Sequence, residues 1–104
     1  MTTLSTHVLD TATGEPAVGM RVHLSRWGDG RWERLGESST DGDGRVGGFG
    51  ELGAGRHRLG FETGEHGNEF YPFVAVVFEV DDGRPHYHVP LLLSPYGYST
   101  YRGR

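Results

Sequence analysis

The chain has 104 residues, a formal net charge of −4 and no cysteine. That length suits a single domain, residues 1–104, with a modest core. The lack of thiols excludes disulfides and thiolate zinc sites. The acidic balance argues against nucleic acid as a partner, and no apolar run approaches the roughly 18 residues of a membrane span.

Eighteen glycines in so short a chain predict many turns, and hence short strands rather than helices. Leu4 to Asp10 reads as the first strand, with Leu4, Thr6 and Val8 on one face and Ser5, His7 and Leu9 on the other. No basic region followed by an apolar stretch precedes it, so no secretory signal is visible and a cytoplasmic protein is expected. Thr13-Gly14-Glu15-Pro16 is a turn. Met20, Val22 and Leu24 alternate with Arg21, His23 and Ser25 in a half-buried second strand. Gly28-Asp29-Gly30 signals a hairpin into an edge strand from Trp32 to Ser38.

Asp41-Gly42-Asp43-Gly44 is read as turns, because a calcium loop needs more oxygen ligands at set spacings. Arg45 and Val46 open a short strand. His57, Leu59 and Phe61 alternate with Arg56, Arg58 and Glu62 in another. Thr63 to Glu69 is the place for a short helix, with Thr63 as its cap. Pro72 to Val80, which contains the run Phe73 to Phe78, is apolar on both faces and reads as a central strand. Asp81-Asp82-Gly83 turns the chain into a final hairpin. The stretch from His86 to Arg104 holds a His-x-His pair, three consecutive leucines and four of the five tyrosines. Disordered tails are poor in such residues, so this one is expected to be folded and buried. Seven or eight short strands without a helical period predict an all-β, antiparallel β-sandwich.

The residues that could carry chemistry are His7, Arg45, His86, His88 and the Tyr101-Arg102 end. A histidine on a strand is most often a half-exposed side chain, and an arginine after a turn a solvated charge. Spacing alone therefore stops at a β-sandwich with a His/Arg site.

Two motifs go further. Ser5-Thr6-His7-Val8-Leu9-Asp10-Thr11-Ala12-Thr13-Gly14-Glu15-Pro16-Ala17 resembles the opening of the transthyretin-related 5-hydroxyisourate hydrolases. Tyr87-His88-Val89-Pro90-Leu91-Leu92-Leu93-Ser94-Pro95-Tyr96-Gly97-Tyr98-Ser99-Thr100-Tyr101-Arg102-Gly103 resembles the closing signature of that family. The family signature ends in serine, where this chain has Arg104. The resemblance implies a transthyretin-like sandwich of about eight strands with one short helix. It also implies a homotetramer, a dimer of dimers, with its sites at the dimer–dimer interface. The implied reaction opens 5-hydroxyisourate, a purine-derived ring, to 2-oxo-4-hydroxy-4-carboxy-5-ureidoimidazoline, without metal or cofactor. The implied catalytic residues are His7, Arg45 and His88. The implied substrate-binding residues are His7, Arg45, Tyr101, Arg102 and Gly103. An imidazole suits water activation, and a guanidinium suits a developing oxyanion and a flat heterocycle. Two rival readings stand beside this one. One is a zinc site built from His7, His86 and His88. The other is a non-enzymatic small-ligand carrier on the same fold.

Overall fold

The computed structural model describes residues 2–104. Its strands are β1 (Thr3–Asp10), β2 (Glu15–Pro16), β3 (Arg21–Gly28), β4 (Arg31–Ser39), β5 (Arg45–Val46), β6 (Gly55–Phe61), β7 (Val74–Val80), β8 (His86–His88), β9 (Leu91–Ser94) and β10 (Gly97–Thr100). One four-stranded sheet has the order β4-β3-β6-β7. The other is organised around β1. Its path runs β10-β9-β1-β2, and β5 and β8 also pair with β1.

Alternation explains the core. Leu4, Thr6 and Val8 of β1 are buried. Leu4 and Val8 meet Val22 and Leu24 of β3, Leu59 and Phe61 of β6, and Leu91 and Leu93 of β9 in one cluster. Full burial of such an apolar side chain contributes about 1.5–3 kcal/mol. Thr6 is tolerated there because its hydroxyl donates to the Val89 carbonyl at 2.5 Å. Asp29, at φ 53°, and Gly30, at φ 75°, form the tight turn between β3 and β4.

Several details depart from the sequence reading. The last part of the chain does not simply return as a hairpin. β8 and β9 both run parallel to β1, and only β9 and β10 form a hairpin. The Phe73–Phe78 run is not central. β7 is an edge strand in this chain, and Val77 on it is 52% exposed. Thr63–His66 is a single 3₁₀ turn. Glu62 occupies its cap position, while the buried Thr63 hydroxyl donates to the Tyr71 carbonyl instead. His23 is buried rather than half-exposed, with Nε2 2.8 Å from Glu62 Oε2 and Nδ1 3.1 Å from Glu37 Oε1. In the last stretch Tyr87, Val89, Leu91 and Leu93 are buried, but Tyr96, Tyr98 and Tyr101 are exposed. No helix among the described residues is long and apolar enough to cross a membrane.

Candidate active site

Strand β1 has a chemical face opposite its core face. Thr3, Ser5 and His7 alternate along it, away from Leu4, Thr6 and Val8. On one side, β5 pairs antiparallel and sets Arg45 opposite His7. On the other, β8 pairs in parallel register, with His86 opposite Thr3 and His88 opposite Ser5. Neighbouring strands lie roughly 4.8 Å apart, and alternate residues on one strand roughly 6.6 Å apart. His7, Arg45 and His88 therefore occupy adjacent positions of one small array, although they are far apart in sequence.

The loop before β5 is built to hold this arrangement. Asp41 Oδ1 accepts the backbone N–H groups of Asp43 at 2.8 Å and Arg45 at 3.0 Å. Those two bonds hold the Asp41 carboxyl below the usual carboxylate range, and the charges of Arg45 and His7 add to the effect. Gly44 turns the chain at φ 75°. Asp43 then presents its carbonyl to His7 Nε2 at 2.9 Å. A carbonyl only accepts, so Nε2 of His7 carries the hydrogen, and Nδ1 is the nitrogen left uncommitted to it.

His88 is half-buried and more tightly constrained. Its Nδ1 lies 2.8 Å from Ser5 Oγ, which leaves Nε2 as the nitrogen available to a ligand. Burial lowers its pKa first. The charges of His7, His86 and Arg45 lower it further, against a hydrogen bond at Ser5 that raises it. His88 is thereby held as a neutral imidazole near pH 7, the form that can accept a proton. The C-terminal segment closes against it. Gly103 donates its N–H to the His88 carbonyl at 2.7 Å. A Cβ at Gly103 would stand 2.7 Å from His88 Cδ2, so only glycine fits that approach.

The structure thus brings together His7, Arg45, His88 and Gly103. Tyr101 and Arg102 lie differently. With Val77, Phe78, Tyr87 and Thr100 they line a cleft of about 450 Å³ between β7 and the end of β10. A second cleft, of about 420 Å³, lies between Asp10, His66–Phe70 and the Ser94–Tyr96 turn. The array around His7 is itself an open surface in one chain, with Arg45 exposed. Both ring nitrogens of His86 are taken by hydroxyls, Nδ1 by Thr3 at 2.6 Å and Nε2 by Ser5 at 2.9 Å. Among the described residues no three His, Asp or Glu side chains are arranged to hold a metal ion. Sequence reasoning missed Thr3, Ser5 and Asp41. The period-two spacing of Thr3, Ser5 and His7 was the available signal for the first two.

The HIUase/Transthyretin family model matches residues 4–103. The chain is 44% identical to the 5-hydroxyisourate hydrolase of Caulobacter vibrioides, over 99% of both chains. It is 46% identical to that of Mus musculus, over 96% of this chain and 93% of the relative. It is 41% identical to the uric acid degradation bifunctional protein TTL of Arabidopsis thaliana, over 96% of this chain, but spans only 36% of that longer protein. Among solved structures, Klebsiella pneumoniae 5-hydroxyisourate hydrolase superposes with a TM-score of 0.87 at 40% identity, over the full length of both chains. Sea bream transthyretin in complex with thyroxine gives a TM-score of 0.89 at 29% identity, over 96% of this chain and 93% of that one.

Proposed function

The chain belongs to the HIUase/Transthyretin family, and on that footing we propose that it hydrolyses 5-hydroxyisourate in urate degradation, with His7, Arg45 and His88 as its catalytic residues. The observation that carries this reading is the meeting of two imidazoles and a guanidinium on one sheet face. A carrier for apolar ligands has no need of that set.

The chemistry follows from the protonation states. His88, neutral at Nε2, takes a proton from water as its oxygen attacks a ring carbonyl carbon. A C–O bond forms and the carbonyl oxygen becomes an oxyanion. Arg45 faces that charge with the N–H donors of its guanidinium. Collapse breaks the ring C–N bond, and the imidazolium returns its proton to the leaving nitrogen. One water is consumed and the ring opens. His7 donates through Nε2 to the Asp43 carbonyl, and its ring, held in place by that bond, orients the water or substrate beside Arg45. Tyr101, Arg102 and Gly103 complete the substrate-binding set, with Gly103 fixing His88.

A homotetramer fits the same reading. The open edge β7 carries exposed Val77, the end of β10 leads to exposed Tyr101, and the His7 face lacks a roof. An edge of that kind is normally covered. The test is the ultraviolet decay of 5-hydroxyisourate, with light scattering to measure the mass. The protein should accelerate the decay, and His7→Ala, Arg45→Ala and His88→Ala should each lose about 10²–10⁴-fold. A wild-type protein no faster than buffer would end the hydrolase reading. A particle of 11.5 kDa, the mass of one chain, would end the tetramer.

A further inference from the structure

We propose that Ser5 and His86, with Thr3 holding His86 in place, form a proton relay behind His88, through which the proton taken from water passes to the exposed His86. The inference rests on the hydrolase reading for its role, but the hydrogen-bonded chain itself can be tested without substrate.

The geometry is continuous. Thr3 Oγ1 lies 2.6 Å from His86 Nδ1, His86 Nε2 lies 2.9 Å from Ser5 Oγ, and Ser5 Oγ lies 2.8 Å from His88 Nδ1. All four side chains share one sheet face, because Thr3 pairs with His86 and Ser5 with His88 in a parallel register. Ser5 is the coupling element. A hydroxyl has one hydrogen and two lone pairs, so it can donate to one imidazole while it accepts from the other. The tautomers of His86 and His88 are therefore linked. With Nε2 of His88 free as base, Nδ1–H of His88 donates to Ser5 and Ser5 donates to Nε2 of His86. Nδ1–H of His86 then donates to Thr3, whose own hydroxyl can reach the Pro85 carbonyl at 3.4 Å.

Consider the proton that arrives at His88 Nε2. As it binds, the Nδ1 hydrogen of His88 moves to Ser5 Oγ, and the hydrogen of Ser5 moves to Nε2 of His86. His88 is neutral again, and His86 has become the imidazolium. No atom is gained or lost, and the reverse movement supplies the proton to the leaving nitrogen. The two ends of the relay differ in their surroundings. A charge on His88 is half-buried beside Arg45 of β5 and His7 of β1. A charge on His86 is at an exposed position of its own strand.

Ser5 and His86 are positioning residues for this step, and the test separates that role from a merely structural one. Steady-state turnover should fall about 10- to 100-fold in Ser5→Ala, up to the lower end of the roughly 10²–10⁴-fold general acid–base range because His88 itself remains, with KM changed less than about twofold. Ser5→Thr keeps the hydroxyl and should restore turnover to within about threefold of wild type. His86→Gln, a change at an exposed side chain, keeps a hydrogen-bonding group but holds no extra proton, and should fall in the same way as Ser5→Ala. The substrate-free readout is ring-nitrogen NMR of ¹⁵N-histidine-labelled protein. In wild type, Nδ1 of both His86 and His88 should carry hydrogen, and Ser5→Ala should release both rings from that state together. Unchanged ring shifts for His86 in Ser5→Ala would refute the linkage, whether or not the protein hydrolyses 5-hydroxyisourate. Wild-type turnover in Ser5→Ala or His86→Gln, or a Ser5→Thr as impaired as alanine, would refute the relay while leaving the hydrolase reading intact.

Discussion

Replacing Gly103 by alanine tests the tightest contact of the site. The added Cβ would meet His88 Cδ2 at 2.7 Å and His88 Cβ and Cγ at 3.3 Å. Carbon atoms rest at about 3.5–4.0 Å, so one of the two partners must retreat by about 1 Å. Gly103 is not among the glycines with positive φ, so the backbone conformation itself tolerates alanine. The cost falls on the contact. Either the imidazole swings away from Ser5, or residues 101–104 peel back and lose the 2.7 Å bond to the His88 carbonyl. Both outcomes misplace His88 or what lies against it. If His88 is the base, as proposed, a shift of this size costs about 10²-fold in rate, or roughly 2.7 kcal/mol of transition-state stabilisation. Stability should suffer far less, since the lost hydrogen bond is worth about 0.5–1.5 kcal/mol. The assay is kcat/KM for 5-hydroxyisourate beside a melting curve. Gly97→Ala serves as control, because its Cβ would meet only Ser94 Oγ, at an ordinary 3.5 Å. A Gly103→Ala protein with wild-type kcat/KM would refute the claim that this approach fixes His88.

Three further outcomes are expected. Gly44→Ala should destabilise the fold by about 3 kcal/mol or more, as backbone clashes add to a left-handed conformation; its Cβ would stand 2.6 Å from the Val8 carbonyl oxygen and 2.8 Å from Pro16 Cβ. The melting point should drop by at least about 12 °C, and a smaller loss would mean that the turn relaxes freely. Acid sensitivity should be traceable to His57, whose pKa burial pushes below 6.5 and whose Nε2 is buried without a partner. The unfolded chain then binds the proton first, so this contribution is complete above pH 6.5 and is lost as pH falls below it, by up to about 1.4 kcal/mol per unit; melting between pH 7.5 and 5.5 should flatten in His57→Leu, and an unchanged slope would exonerate His57. Arg104 offers no acceptor where serine would, so wild type and Arg104→Ser should both turn over, with KM differing by about two- to fivefold, the scale of one exposed charge contact; an inactive wild type rescued by serine would contradict this.

What could be read from the residues, and what could not, divides by range. Alternation is local, so the sequence shows Leu4, Thr6 and Val8 as one face of β1. The turns at Asp29-Gly30 and Asp41–Gly44 were likewise local. The pairing partner of a strand is not local. Nothing near His86 announces that it faces Thr3, more than 80 residues away, in a parallel register. The expected final hairpin failed for the same reason: β8 finds β1 in the other sheet rather than returning along β7. The Phe73–Phe78 run misled because apolar character reports burial, not its source. In one chain β7 is an edge, and Val77 is still exposed. At Thr63 the cap propensity lost to a tertiary partner, the Tyr71 carbonyl.

One strand carries two duties because a pleated backbone has two faces. The inner face of β1 locks Leu4, Thr6 and Val8 into the core, where loss of a side chain costs stability. The outer face holds Thr3, Ser5 and His7, where the same backbone serves as a rigid ruler for the proposed site. Sites on strands are held more accurately than sites on loops, and here two further strands are registered against the same ruler, one bringing Arg45 and the other His88. Such an array is flat, and a flat surface cannot exclude water from both sides of a substrate. Preorganised charges act most strongly where water is excluded. His7 is half-buried and Arg45 exposed in one chain, so under the proposed hydrolase and tetramer readings catalytic power depends on assembly: the β1 face would supply the reacting groups and a second copy of the chain would roof them.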